Sequence, residues 1–169
     1  MSNHSIKAVL LDYGGVIADE GFQNSLRTMA REQGLDEDTM MNVARSAVYD
    51  SGFIMGWGTE DEFWKWMREG SGLKGSDTEL TKRIVDGFVL RPWMIEWVQQ
   101  LNAQGYITGI LSNQSHWRDW LNERDHFFSF LIMFSIVITS EKVNVIQLCF
   151  PISPNNWRYR PTRFCLWMT

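Results

Sequence analysis

Hydrophobic and polar positions fall into blocks along the first three quarters of the chain. Residues 6–11, IKAVLL, are apolar apart from Lys7, which predicts a short strand buried in a parallel sheet. From 24 to 34 and from 36 to 47 apolar residues recur at helical spacing, with Asp36 as an N-cap. TEDEFWKWMREG (59–70) opens with Thr59 and carries Glu62 three residues on, a capping box, and helical spacing places Phe63, Trp66 and Met67 on one face. SDTELTKRIVDGF (76–88) repeats the pattern, with Ser76 or Asp77 as cap and Glu79 behind it. After Pro92, WMIEWVQQLNAQG predicts a helix closed by Gly105. YITGILSN (106–113) predicts a second buried strand with a polar tip, and SHWRDWLNERDHF (115–127) a further helix. A strand, a long helical insert, a helix, a strand and a helix in that order predict an α/β fold with a parallel sheet.

Composition divides the chain in two. All 13 glycines lie at or before Gly109, whereas residues 130–169 contain no Gly, Ala or Asp and hold both cysteines and three of the 4 prolines. The length of 169 residues allows one domain with a small inserted unit. A formal charge of −4 and a pI near 5.4 argue against nucleic acid and membrane surfaces, whose phosphates select basic faces, and favour a small-molecule partner. The most apolar run, FFSFLIMFSIVI (127–138), is 12 residues long, too short to cross a bilayer. Residues 1–20 lack the pattern of a secretory signal, so a cytoplasmic location is expected, with Cys149 and Cys165 as free thiols.

In open α/β sheets ligands gather at the carboxyl ends of strands. Asp12 stands at the first strand tip as a nucleophile or metal ligand, and Gly14 and Gly15 behind it let backbone N–H groups approach an anion. Ser112 and Asn113, at the second tip, carry donors for the same anion. Each signal alone has a plainer meaning, a turn for Asp-x-Gly-Gly and a helix cap for Ser-Asn. Trp57, Trp64, Trp66, Trp93 and Trp97 are expected in packing contacts, Asp19 and Glu20 as solvated turn charges, and His116 in a structural role at a helix start.

LLDYGGVI, followed by the helical insert and then GILSNQSHWRDWL, resembles the haloacid-dehalogenase-like hydrolase superfamily, in the branch whose first motif reads Asp-x-Gly-[Gly/Asn]-Val. The resemblance covers residues 5–129. It implies a Rossmann-like core at 1–18 and 92–129, a helical cap at 19–91 inserted after the first strand, and a core left incomplete at the C-terminal side. It implies a Mg²⁺-dependent phosphatase acting on a small phosphorylated metabolite through an aspartyl-phosphate. Asp12 would be the nucleophile, Ser112 the phosphoryl-binding hydroxyl, and Gly14, Gly15 and Asn113 substrate-binding groups. Asp12 and the Gly14 carbonyl would hold the metal. A 2-haloacid dehalogenase, with the same nucleophile acting on carbon, ranks below the phosphatase because Gly14-Gly15 resembles the phosphatase branch.

The chain departs from the family's pattern in two places. Many members carry a second Asp two residues after the nucleophile as general acid; Gly14 stands there, which leaves the proton donor unassigned. The third-motif Lys and the paired acids of the fourth motif are not legible, and no Asp follows Asp125. An inactive truncated relative or a non-catalytic anion-binding remnant is the alternative. The genetic code bears on this choice. Joining the third base of each codon to the first two of the next turns Trp167, Met168 and Thr169 into a forced Asp-Asp, with Leu-Phe-Val permitted just before it. In the same frame 142–147 permits Gly-Lys-Arg-Asp-Pro, its Lys 24 positions before the first Asp, and the stretch around Phe130 to Phe134 permits Phe-Asp-His-Val-Phe. Residues 130–169 are therefore expected to be an out-of-frame tail, with the shift near codons 126–131.

Overall fold

The computed structural model describes residues 6–112, 115–129, 131–139, 142–153 and 156–159. Two strands, β1 (Ala8–Leu11) and β2 (Ile107–Ser112), bracket the helical insert, and a third, β3 (Ile132–Thr139), follows the last helix. These three run parallel, with Leu11 beside Ile110 and Ile110 beside Met133. β4 (Lys142–Ser153) and β5 (Asn156–Tyr159) return antiparallel, giving the sheet order β1-β2-β3-β4-β5. Parallel pairing needs a long crossover, which helices supply up to residue 125 and the tail does not, so beyond β3 only direct reversals are open to the chain. The tail, expected to be foreign to the core, thus extends its sheet.

Six α-helices account for most of the rest of the described residues: α1 (Gly21–Gln33), α2 (Glu37–Asp50), α3 (Glu60–Ser71), α4 (Asp77–Gly87), α5 (Pro92–Ala103) and α6 (Trp117–Asp125). The cap signals act as their chemistry predicts. Asp36 accepts from the Thr39 N–H, and both Thr59–Glu62 and Ser76–Glu79 form full capping boxes, with Ser76 rather than Asp77 as the second N-cap. Glu20 caps α1, which begins three residues earlier than the periodicity implied because the loop before it turns back on the core.

The insert α1–α4 is joined to the core by an aromatic cluster. Phe53, in a 3-10 turn between α2 and α3, stacks on Phe63 at 4.8 Å, and Trp117 of α6 meets Phe53 at 5.1 Å and Phe63 at 5.7 Å. Edge and offset contacts at these separations add to the area that large rings bury. Among the expected packing tryptophans only Trp64 is buried, its Nε1–H donating to Thr81 Oγ1 at 2.8 Å. Trp66 sits two residues on, about 200° around the α3 axis, and faces out. On α5, Met94 and Val98 take the buried stripe, which turns Trp93 and Trp97 outward. Trp57, in the loop before α3, is 81% exposed.

Candidate functional site

The β1–β2 ladder puts Leu11 level with Ile110, so Asp12 and Ser112 leave the same end of neighbouring strands, about 4.8 Å apart in the pairing direction. Asp12 is exposed, and its Oδ1 accepts the Tyr13 N–H at 2.7 Å. Ser112 is 6% exposed at the last position of β2. Asn113 lies outside the described residues. Sheet register, not proximity in sequence, brings Asp12 to Ser112 across the length of the insert.

Beyond Asp12 the chain makes one tight turn, closed by the Ala18 N–H donating to the Tyr13 carbonyl at 2.9 Å. Gly15 has φ +78°, a conformation that a side chain resists. Gly14 answers a different need. A Cβ there would stand 2.9 Å from Glu20 Oε2 and 3.2 Å from Phe88 Cε1, so the bare Cα lets the Glu20 carboxylate close on the loop. Glu20 is half-buried, and its other oxygen accepts the Gln23 N–H at 3.3 Å. It is therefore not the solvated turn charge the sequence led one to expect.

Asp19 is likewise engaged. Arg91 pairs with Asp19 Oδ1 at 3.1 Å and donates to the Gly15 carbonyl at 2.6 Å, tying the turn to the segment that leaves the insert. The two segments also pair through their backbones, with the Asp19 N–H donating to Val89 O and the Arg91 N–H to Ile17 O, both at 2.9 Å. Behind the loop Tyr13 is 1% exposed, and its hydroxyl donates to Asp125 Oδ2 at 3.3 Å. Burial, with the negative charge of Asp125 beside it, pushes the Tyr13 phenol well above its ordinary range. Arg124, next to Asp125, donates to the carbonyls of Val85 and Phe88 at the end of α4.

A second polar group joins the insert to the core near the β2 tip. His116 Nε2 lies 2.9 Å from Glu60 Oε2 on α3, and Glu60 Oε1 accepts from the Thr81 hydroxyl and from Trp64 Nε1. Burial of Glu60 opposes its ionisation, yet the hydrogen bonds from Thr81, His116 and Trp64 together hold it below the usual carboxylate range. Sequence reasoning missed Glu20, Arg91 and Glu60, because each acts through a partner distant in the chain or through the absence of a side chain at Gly14. The one available signal was a Gly where bulk is excluded.

Asp12 and the Gly14 carbonyl are hard oxygen donors of the kind that Mg²⁺ takes, and that ion commonly completes its shell with water and substrate phosphate. They suit part of a coordination shell; among the described residues no cluster of three or more His, Cys, Asp or Glu forms. No helix in the described residues is long and apolar enough to cross a membrane.

No family model and no curated protein sequence matches the chain. Among solved structures it is similar to a HAD family enzyme from Bacteroides thetaiotaomicron, at 22% identity over 71% of this chain and 60% of that one, with a TM-score of 0.47. A HAD phosphatase from Thermococcus onnurineus is similar at 18% identity over 77% and 62%, TM-score 0.46. An aspartate-to-alanine variant of the Bacteroides enzyme, in complex with magnesium and inorganic phosphate, is similar at 18% over 82% and 63%, TM-score 0.44. The chain is thus similar to HAD family structures while spanning about three fifths of their length.

Proposed function

We propose that the chain carries the nucleophile half of a HAD-type phosphatase site, for a small phosphorylated metabolite. The observation that carries this reading is the register that sends Asp12 and Ser112 from the same end of adjacent parallel strands, beside the glycine turn that follows Asp12. Asp12 attacks phosphorus to form an aspartyl-phosphate. Ser112 and the N–H groups of Gly14 and Gly15 hold the phosphoryl oxygens, with Asn113 beside them. Asp12 and the Gly14 carbonyl would hold Mg²⁺, which when bound offsets the phosphoryl charge. The insert, residues 19–91, covers the core at 1–18 and 92–129 and selects the substrate. The test is phosphate release from a panel of phosphate monoesters with and without Mg²⁺. The expected result is release that depends on the metal and is lost in Asp12→Asn; equal release by the variant would overturn the nucleophile assignment.

A second reading, a non-catalytic relative that binds an anion without turnover, draws on the tail, where no Asp follows Asp125. The two readings meet in the reading frame. We infer that residues 130–169 are translated out of frame, since the forced Asp-Asp and the permitted Gly-Lys-Arg-Asp-Pro fall in one alternative frame. Resequencing the source DNA across codons 120–170 decides it. A restored base makes the product a complete hydrolase, and an unchanged sequence leaves a chain without the second pair of acids.

A further inference from the structure

On the hydrolase reading above, we propose that Arg91 is the positioning residue for Asp12, acting through the turn that follows it. A nucleophile works only when it is held in line with the reacting bond, and a displacement of about 1 Å costs on the order of 10² in rate. The turn behind Asp12 is loosely held from within. Gly14 and Gly15 widen the range of backbone conformations open to it, and Gly15 takes φ +78°. The Val16 N–H to Tyr13 carbonyl and Ile17 N–H to Asp12 carbonyl bonds span 3.4 Å each, beyond the usual range of about 2.7–3.2 Å. The Ala18 N–H, at 2.9 Å from the Tyr13 carbonyl, closes the turn.

Arg91 clamps it from outside. Its Nη1 donates to the Gly15 carbonyl at 2.6 Å and lies 3.4 Å from the Val16 carbonyl, while Nε donates to Asp19 Oδ1 at 3.1 Å. The guanidinium is planar, so fixing Nε on Asp19 fixes the direction in which Nη1 points. Asp19 thereby aims Arg91 at the tip of the turn. A charged donor on a carbonyl makes a stronger bond than a neutral one, and at 32% exposure the Arg91 side chain is partly spared the screening of water. The backbone of the same residue holds the base of the turn, its N–H donating to the Ile17 carbonyl at 2.9 Å. Arg91 therefore grips the turn at both ends. Arg124, the arginine behind Tyr13, is committed instead to Asp125 and to the Val85 and Phe88 carbonyls.

Two measurements test the placement, one of them without turnover. In the full chain with Mg²⁺ and 4-nitrophenyl phosphate, Arg91→Gln should lower kcat about 10- to 100-fold and change KM less than about threefold, since the groups that bind phosphate remain and alignment is lost. Arg91→Lys keeps the charge but has no fork to hold Asp19 and the Gly15 carbonyl together, so its kcat should fall between those of the wild type and Arg91→Gln. It carries both measurements if Arg91→Gln does not fold. In the chain without metal or substrate, amide hydrogen exchange read by NMR should quicken about tenfold or more at Ile17 and Ala18 in Arg91→Gln, and change less than about twofold at Met29 and Ala30 in α1. A rise in KM with kcat intact, wild-type kcat in both variants, or exchange that quickens equally in the turn and in α1 would overturn the assignment. If the wild-type chain releases no phosphate, the hydrolase reading fails for this chain and exchange decides alone. Faster exchange confined to the turn then upholds Arg91 as its clamp, and unchanged or uniformly faster exchange overturns it.

Discussion

Tyr13 shows how one residue behind the site couples to pH. Its phenol is buried and set against Asp125, which keeps it protonated above the ordinary range near 10. The unfolded chain releases that proton once pH passes about 10, while the native chain retains it. Stability that is fully present below about 10 is therefore lost as pH rises beyond it, at up to about 1.4 kcal/mol per pH unit for this one group. Urea midpoints measured from pH 8 to 11 should fall less steeply in Tyr13→Phe than in the wild type; parallel slopes would show that Tyr13 ionises freely in the native chain. The residue next to Asp12 is thus fixed by packing, which holds the backbone of Asp12 from behind.

At the scale of elements, the helices of the insert depend on their first turns. Thr59→Ala and Ser76→Ala each remove the acceptor for an N3 N–H and unlock the reciprocal Glu62 or Glu79. Each should cost about 1 kcal/mol in equilibrium urea unfolding, and a loss below about 0.3 kcal/mol would mean that packing alone defines these ends. The same hydrogen bonds hold the Glu62 and Glu79 carboxylates below their ordinary range, so their contribution is present above pH 5 and is lost as pH falls through the lowered values. These starts were legible in the sequence because a capping box is local chemistry. Facing was less so. Helical spacing alone grouped Trp66 with Phe63 and Met67, but Trp64 took the inward place because its indole N–H finds Thr81 on α4, a partner 17 residues away. Asp12 and Ser112 could be read from their strand tips, while Glu20 and Arg91 required the fold, since their meaning comes from Gly14 and from Asp19.

At the scale of the molecule, insert and core share one aromatic seam through Phe53, Phe63 and Trp117, supported by Arg124 on the carbonyls that end α4. The two parts should unfold together. Phe63→Ala is expected to cost about 3–5 kcal/mol and to lower the far-UV circular dichroism and tryptophan fluorescence midpoints in step; separated midpoints would show two independent units. The chain nevertheless enters and leaves the insert at one place, where Ala18 and Leu90 form an antiparallel bridge. Two chain ends that close together can be rejoined by a short reverse turn, so the topology makes the insert a graftable module. Lineages could trade one lid for another at that seam and leave the strand ladder intact, on the condition that each new lid brings its own apolar cover for Trp117. Glu20, lying just inside the seam, would travel with the lid, and with it the N-cap of α1.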